Sequence, residues 1–269
     1  MRGAADEANR IDGPLYYEVM GPVDAPPMLF VHPNPMDSAC WIYQMAHFST
    51  WYRCIAVDLP GYGRSPRAQQ GLTMADLAEA CWDVVDQVTH GSPVLIGCSV
   101  GSYVVQHMYH QRPAKTDSLV LCGAGWRPVK GFPAKRIAGY REHGIAYRHD
   151  YTLEDFSAAY RGAPMAEWFA TLFTERNNTA DVESIIATFQ ALSEPDPDWL
   201  QRDLKAPVLI LTGTEDGTHP ASGALLDRLP NAELVAISGA GHACQLEQPW
   251  VFDAEMIRFL RSHGHLLPA

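Results

Sequence analysis

Short, continuously apolar runs alternate with longer stretches whose apolar positions recur every three or four residues. This alternation predicts the α/β class, a mainly parallel sheet flanked by helices. The runs Leu15 to Met20, Met28 to His32, Arg53 to Asp58, Pro93 to Cys98, Ser118 to Cys122, Val208 to Thr212 and Glu233 to Ile237 read as strands. Met74 to His90 reads as a helix that buries Leu77, Ala80, Val84 and Val88, and Val100 to Gln111 as one that buries Val104, Val105 and Met108. Pro249 to Leu260 closes the pattern with a further helix. The fifth and sixth of these strands lie roughly 85 residues apart, far beyond an ordinary connection. From Gly125 to Leu200 the pattern is helical but irregular, broken by Pro128, Pro133, Pro164, Pro195 and Pro197 and rich in aromatic residues. A helical cap over 125–200 is therefore expected on a core built from 1–124 and 201–269. Most cap aromatics would bind the insert to the core. Trp126, Trp168, Phe169 and Phe173 are the candidates to shape a substrate pocket.

Composition narrows the partners. With 269 residues, 47% hydrophobic and 19% charged, the chain can bury a sizeable core in one large domain carrying an insert. A net charge of −11 repels nucleic acids and anionic lipid surfaces, which leaves a small-molecule substrate as the expected partner. Met1 to Arg10 holds no apolar stretch resembling a signal-peptide core, and no apolar run approaches the roughly 18 to 20 residues that span a bilayer. The cysteines at 40, 54, 81, 98, 122 and 244 lack a CxxC spacing and are expected to be reduced, mostly buried thiols of a soluble cytoplasmic protein.

The chemistry concentrates where predicted strands end. Gly97-Cys98-Ser99-Val100-Gly101 is a G-x-S-x-G between an apolar strand and a helix, the setting of a nucleophile elbow. The glycines permit a close strand–helix approach, and the helix start aims backbone N–H groups toward the serine. A serine that merely caps the helix is the bland alternative. Serine needs a base and a carboxylate to act as a nucleophile, and both sit after later strands. Gly213-Thr214-Glu215-Asp216 supplies the acid and Gly241-His242 the base, in the chain order serine, acid, histidine. Asp216 is preferred over Glu215, because a loop with two adjacent carboxylates usually keeps one in solvent. His107 and His110 share a helix face with no accompanying carboxylate, so no metal is assigned.

A tetrahedral oxyanion needs two donors. One is the N–H of Val100. The other is sought in His32-Pro33-Asn34-Pro35-Met36, where the prolines leave Asn34 and Met36 as possible donors; Asn34 is chosen.

Together these stretches resemble the α/β-hydrolase superfamily over nearly all of the chain outside the cap. Asp58-Leu59-Pro60-Gly61-Tyr62-Gly63-Arg64-Ser65 resembles its D-x-P-G-x-G-x-S turn and Gly97 to Gly101 its elbow. Gly213 to Pro220 resembles its acid loop, and Gly241-His242 with Glu247 and Pro249 its histidine turn. The oxyanion loop departs from the usual His-Gly-x-Pro, with Pro33 in the glycine's place. The resemblance implies a cofactor-free serine hydrolase of the esterase, lactonase or haloperoxidase-like branch. Ser99 instead of aspartate separates the chain from the alkyl-enzyme chemistry of haloalkane dehalogenases and epoxide hydrolases. Ala243 replaces the tryptophan that usually follows the histidine of carbon-carbon bond hydrolases, which makes that activity an alternative. The unusual Pro33 keeps a lyase, cyclase or ligand receptor on the same fold as another.

Overall fold

The computed structural model describes residues 10–126, 130–193 and 203–266. Met1 to Asn9, the break points Pro128, Pro195 and Pro197, and the expected boundary at Leu200 lie outside them. Strands β1 (Tyr17–Met20), β2 (Pro27–Val31), β3 (Arg53–Val57), β4 (Val94–Cys98), β5 (Ser118–Cys122), β6 (Val208–Gly213) and β7 (Ala232–Ile237) occupy the predicted runs. They form one sheet in the order β1-β3-β2-β4-β5-β6-β7. β1 pairs antiparallel with β3, and all other pairings are parallel.

Parallel neighbours require crossovers, and the helices supply them. Before the insert come α1 (Ile42–Phe48), α2 (Met74–Val88) and α3 (Val100–Gln111). Between β5 and β6 the described residues form α4 (Phe132–His143), α5 (Tyr147–Glu154), α6 (Ala158–Arg161), α7 (Pro164–Arg176) and α8 (Val182–Ser193). After β6 follow α9 (His219–Leu226), α10 (Cys244–Glu247) and α11 (Pro249–Ser262). The capping box of α2 is reciprocal: Thr73 Oγ1 accepts the Asp76 N–H at 3.2 Å, and the Asp76 carboxylate accepts the Thr73 N–H at 2.8 Å.

Central strands β2, β4, β5 and β6 are buried at every residue, so side chains alternate between two apolar cores, one on each sheet face. Leu29, Leu95, Leu119 and Ile210 meet Leu77 of α2 and Val104 of α3 on one face. Phe30, Ile96, Val120 and Leu211 meet Phe48 of α1 and Phe252 of α11 on the other. Each such side chain contributes about 2 kcal/mol on burial, giving a stiff base for the loops at the sheet's carboxyl edge. In α2, Cys81 and Trp82 fill the core, and Ala80 and Val88 lie at its edge. The difference follows from the width of the buried stripe, since a helix against a sheet covers more than one apolar row.

All six cysteines are buried and free. Among the described residues, no helix is long and apolar enough to cross a membrane.

Candidate active site

The turn from β4 into α3 forces Ser99 to φ 52° and ψ −119°, and Ser99 is the one non-glycine residue at positive φ among those described. Local crowding makes the turn tight. A Cβ at Gly97 would collide with the carbonyl of Gly101, and a Cβ at Gly101 with the carbonyl of Val31. The Ser99 N–H donates to the Cys122 carbonyl at 2.9 Å, which anchors the strained residue to the end of β5. Its hydroxyl makes no capping bond to α3, so the side chain is not spent on the helix. The first turn of α3 presents its unsatisfied N–H groups and partial positive charge beside it.

Asp216 and His242 meet over the ends of β6 and β7, with His242 Nδ1 and Asp216 Oδ2 3.0 Å apart. Asp216, 6% exposed, also accepts the Thr218 N–H at 2.8 Å and the Thr218 hydroxyl at 2.7 Å. Burial opposes ionisation of Asp216, but the imidazolium and these donors outweigh it and hold the carboxyl below its usual range. Burial likewise opposes charge on His242, yet the adjoining Asp216 carboxylate raises its pKa to about 9. Glu215 turns away and accepts the Ala158 N–H at the start of α6, at 3.1 Å. That separates the two acids: Asp216 faces the imidazole and Glu215 holds the insert.

Gly123 links serine and histidine. It follows Cys122, the partner of Ser99, and sits at φ 54°; a Cβ there would lie 2.6 Å from His242 Cε1 and 3.3 Å from Asp216 Oδ2. Only a glycine lets the imidazole lie this close to the end of β5. Serine, imidazole and carboxylate thus converge on one short stretch of the sheet's carboxyl edge.

The loop after β2 lies beside α3, since Gly101 touches the carbonyls of Val31 and His32. His32 is fully buried. The Leu59 N–H can only donate, and it donates to His32 Nε2 at 2.9 Å, so the proton resides on Nδ1, which donates to the Pro33 carbonyl at 2.9 Å. Burial keeps this imidazole neutral by lowering its pKa. The Asn34–Pro35 peptide is cis. The Met36 N–H donates to the Pro33 carbonyl at 3.1 Å, so of the two candidate oxyanion donors Met36 is engaged within the turn and Asn34 is the one at issue. Asp58 braces the loop from below, accepting the Ser38 N–H at 2.8 Å and the Arg64 N–H at 2.9 Å.

The insert is tied to the same edge. Asp37 receives Arg176 Nε at 3.0 Å and Asn177 Nδ2 at 2.8 Å. Glu247 takes the Gly241 N–H at 2.8 Å, the Ser157 N–H at 2.9 Å and the Ser157 hydroxyl at 2.6 Å, pinning the histidine turn to the start of α6. The four proposed pocket aromatics part ways. Phe169 and Phe173 are buried and stacked, with centroids 6.1 Å apart. Trp126 is half-buried under the Arg228 guanidinium, 3.9 Å above its ring. Trp168 is 52% exposed and lines a hollow of about 480 Å³ beside β1 and α1.

Two residues escaped the sequence reading. Asp155, between α5 and α6, gives its carbonyl to the Ala243 N–H at 3.0 Å, and burial raises its carboxyl to a pKa of about 7 against the pull of His242 and Arg136. Arg148 of α5 is wholly buried and donates through Nε to the Pro35 carbonyl. An acidic or basic residue on an irregular polar helix carries no periodic signal of this kind. Among the described residues, no cluster of histidine, cysteine, aspartate or glutamate could hold a metal ion.

Comparison with known proteins places the scaffold. "Epoxide hydrolase 1" of Caenorhabditis elegans is 24% identical over 278 residues, covering 93% of this chain and 68% of that protein. A thermophilic esterase from Thermogutta terrifontis superposes with a TM-score of 0.82 at 25% identity, over 93% of each chain. An enol-lactonase from Burkholderia xenovorans gives 0.82 at 20% identity, over 93% of this chain and 98% of the other, and so shares the fold. The family model described as alpha/beta hydrolase fold matches residues 26–249. With that match spanning β2 to β7, the elbow and the histidine turn, the chain belongs to the alpha/beta hydrolase fold family.

Proposed function

We propose that this hydrolase is a cofactor-independent serine enzyme that cleaves an ester or lactone of a small to medium, partly apolar molecule. Ser99 Oγ attacks the carbonyl carbon while His242 takes its proton and Asp216 stabilises the resulting imidazolium. The N–H groups of Val100 and Asn34 receive the developing oxyanion. Collapse of the tetrahedral intermediate expels the alkoxy group, which leaves with the proton held by His242. Water then attacks the acyl-enzyme, gives its proton to His242 and releases the acid and a regenerated Ser99. The helices of the insert act as the cap, with Phe169 and Phe173 as its rigid wall.

One observation carries the reading: a buried Asp216 carboxylate 3.0 Å from the His242 imidazole, beside a serine in a strained turn whose hydroxyl is not used as a cap. The similarity to a solved esterase at 25% identity supports it. A fluorophosphonate probe is expected to label the wild-type protein within minutes and to leave Ser99→Ala unlabelled; an unreactive serine in the folded wild type rejects the mechanism. Since His242 must be neutral to accept a proton and its pKa lies at about 9, kcat/KM for an activated ester is expected to climb with pH until about 9. A profile already flat from pH 6 upward contradicts the assignment of the base.

A further inference from the structure

Arg148 is fully buried, yet only one of its nitrogens is engaged: Nε donates to the Pro35 carbonyl, while Nη1 and Nη2 have no partner. No carboxylate lies within ion-pairing distance of it among the described residues. The guanidinium lies 4.8 Å over the Tyr62 ring. The hydroxyls of Tyr62 and Tyr140, both buried, are also unpartnered, as is the Asn34 side-chain amide at both ends. Tyr62, Tyr140 and Arg148 are close enough to feel one another's charge. Buried polar groups are normally satisfied, and a buried cation without a counter-charge is costly. Holding Pro35 needs one donor, which does not account for a fully sequestered guanidinium fork lying over the Tyr62 ring.

We propose that Arg148, with Tyr62 and Tyr140, binds a carboxylate on the substrate, so that the ester or lactone cleaved belongs to an acid-bearing molecule. The free Nη1 and Nη2 edge matches the two oxygens of a planar carboxylate. A monoanion also sheds less hydration than a phosphate dianion on entering a site this buried. Through Pro35 the fork is one residue from Asn34, so charge recognition and the oxyanion loop share a single brace. This refines the serine-hydrolase reading and rests on it.

Selectivity tests the proposal. The 4-nitrophenyl half-esters of succinate, glutarate and adipate are compared with their methyl diesters, which differ in lacking the free carboxylate. Wild type is expected to prefer its best half-ester by about 100-fold in kcat/KM, chiefly through KM. Arg148→Met brings the ratio close to one, and Arg148→Lys restores part of it. Tyr62→Phe and Tyr140→Phe each lower the ratio by about 3- to 10-fold, and they keep the test decisive should the Arg148 variants fail to fold. No preference in wild type, or a preference untouched in these variants, overturns the proposal. A second readout needs no turnover: calorimetry of glutarate and of its diamide against Ser99→Ala. Glutarate binding that disappears in Ser99→Ala/Arg148→Met supports the site; equal affinity for the two, or no glutarate binding at millimolar concentration, overturns it. An unlabelled Ser99 in the fluorophosphonate assay would instead reject the hydrolase chemistry, with the glutarate measurement still standing by itself.

Discussion

At Ser99 one backbone torsion separates the proposed nucleophile from an ordinary helix cap: at φ 52° the side chain makes no capping bond to the helix, and the Cys122 carbonyl accepts the Ser99 N–H. Around His242 the decisive quantity is charge. Asp216 raises its pKa, and the Asp155 carboxyl, titrating near pH 7, adds a second negative neighbour in the upper part of the working range. Asp155→Asn removes that neighbour. The alkaline rise in kcat/KM is therefore expected to move down by about one pH unit, with the maximum rate less affected. A pH–rate profile identical to wild type would show that the Asp155 carboxyl does not reach the imidazole.

Among the elements, Glu247 connects two pieces of chain that are remote in sequence, the turn bearing His242 and the start of α6. Glu247→Ala leaves the Gly241 and Ser157 N–H groups without their acceptor and loosens the imidazole's platform. A fall in kcat of about 10- to 100-fold is expected, as for a misplaced catalytic group, and steady-state kinetics on a folded variant checks it. Thr73→Ala offers the converse case. It removes the capping box of α2, whose hydrogen bonds join Thr73 and Asp76 to each other and to none of the site residues, and is expected to cost about 1 kcal/mol in urea unfolding with kcat unchanged. Equal stability would mean that the α2 cap is redundant with its packing on α3.

For the whole molecule, catalysis and stability respond to pH in opposite directions. His242 has a folded pKa of about 9, above an unfolded value of roughly 6.5. Its stabilising contribution is therefore complete below pH ~6.5 and lost as pH climbs through 9. Asp155 has a folded pKa of about 7, above its ordinary value of 3.8, so folding favours its neutral form and stability falls as pH rises between those values. The Tm is expected to decline from pH 5 to 9 while kcat/KM increases. In His242→Asn the decline between pH 7 and 9 should be shallower than in wild type; parallel Tm curves would refute the linkage.

The seven strands, α2, α3 and α11 were legible because they rest on local rules. Short, continuously apolar runs build the sheet, and apolar positions every three or four residues build its helices. The elbow was equally legible, since Gly97 and Gly101 answer to contacts within a few residues of Ser99 and along β2. The choice between Glu215 and Asp216 turned on one position of a loop, and only the arrangement of the β6 and β7 ends separates the acid facing His242 from the one facing α6. Arg148 and Asp155 left no trace in the pattern, because their meaning lies in what surrounds them after the insert docks. The sequence by itself therefore determined the scaffold and which residue types stand at its carboxyl edge, as steric and hydrophobic preferences act between near neighbours. Tertiary structure alone decided which charges are buried together, because desolvation and Coulomb energy depend on distances that close only when residues far apart in the chain are folded onto one another.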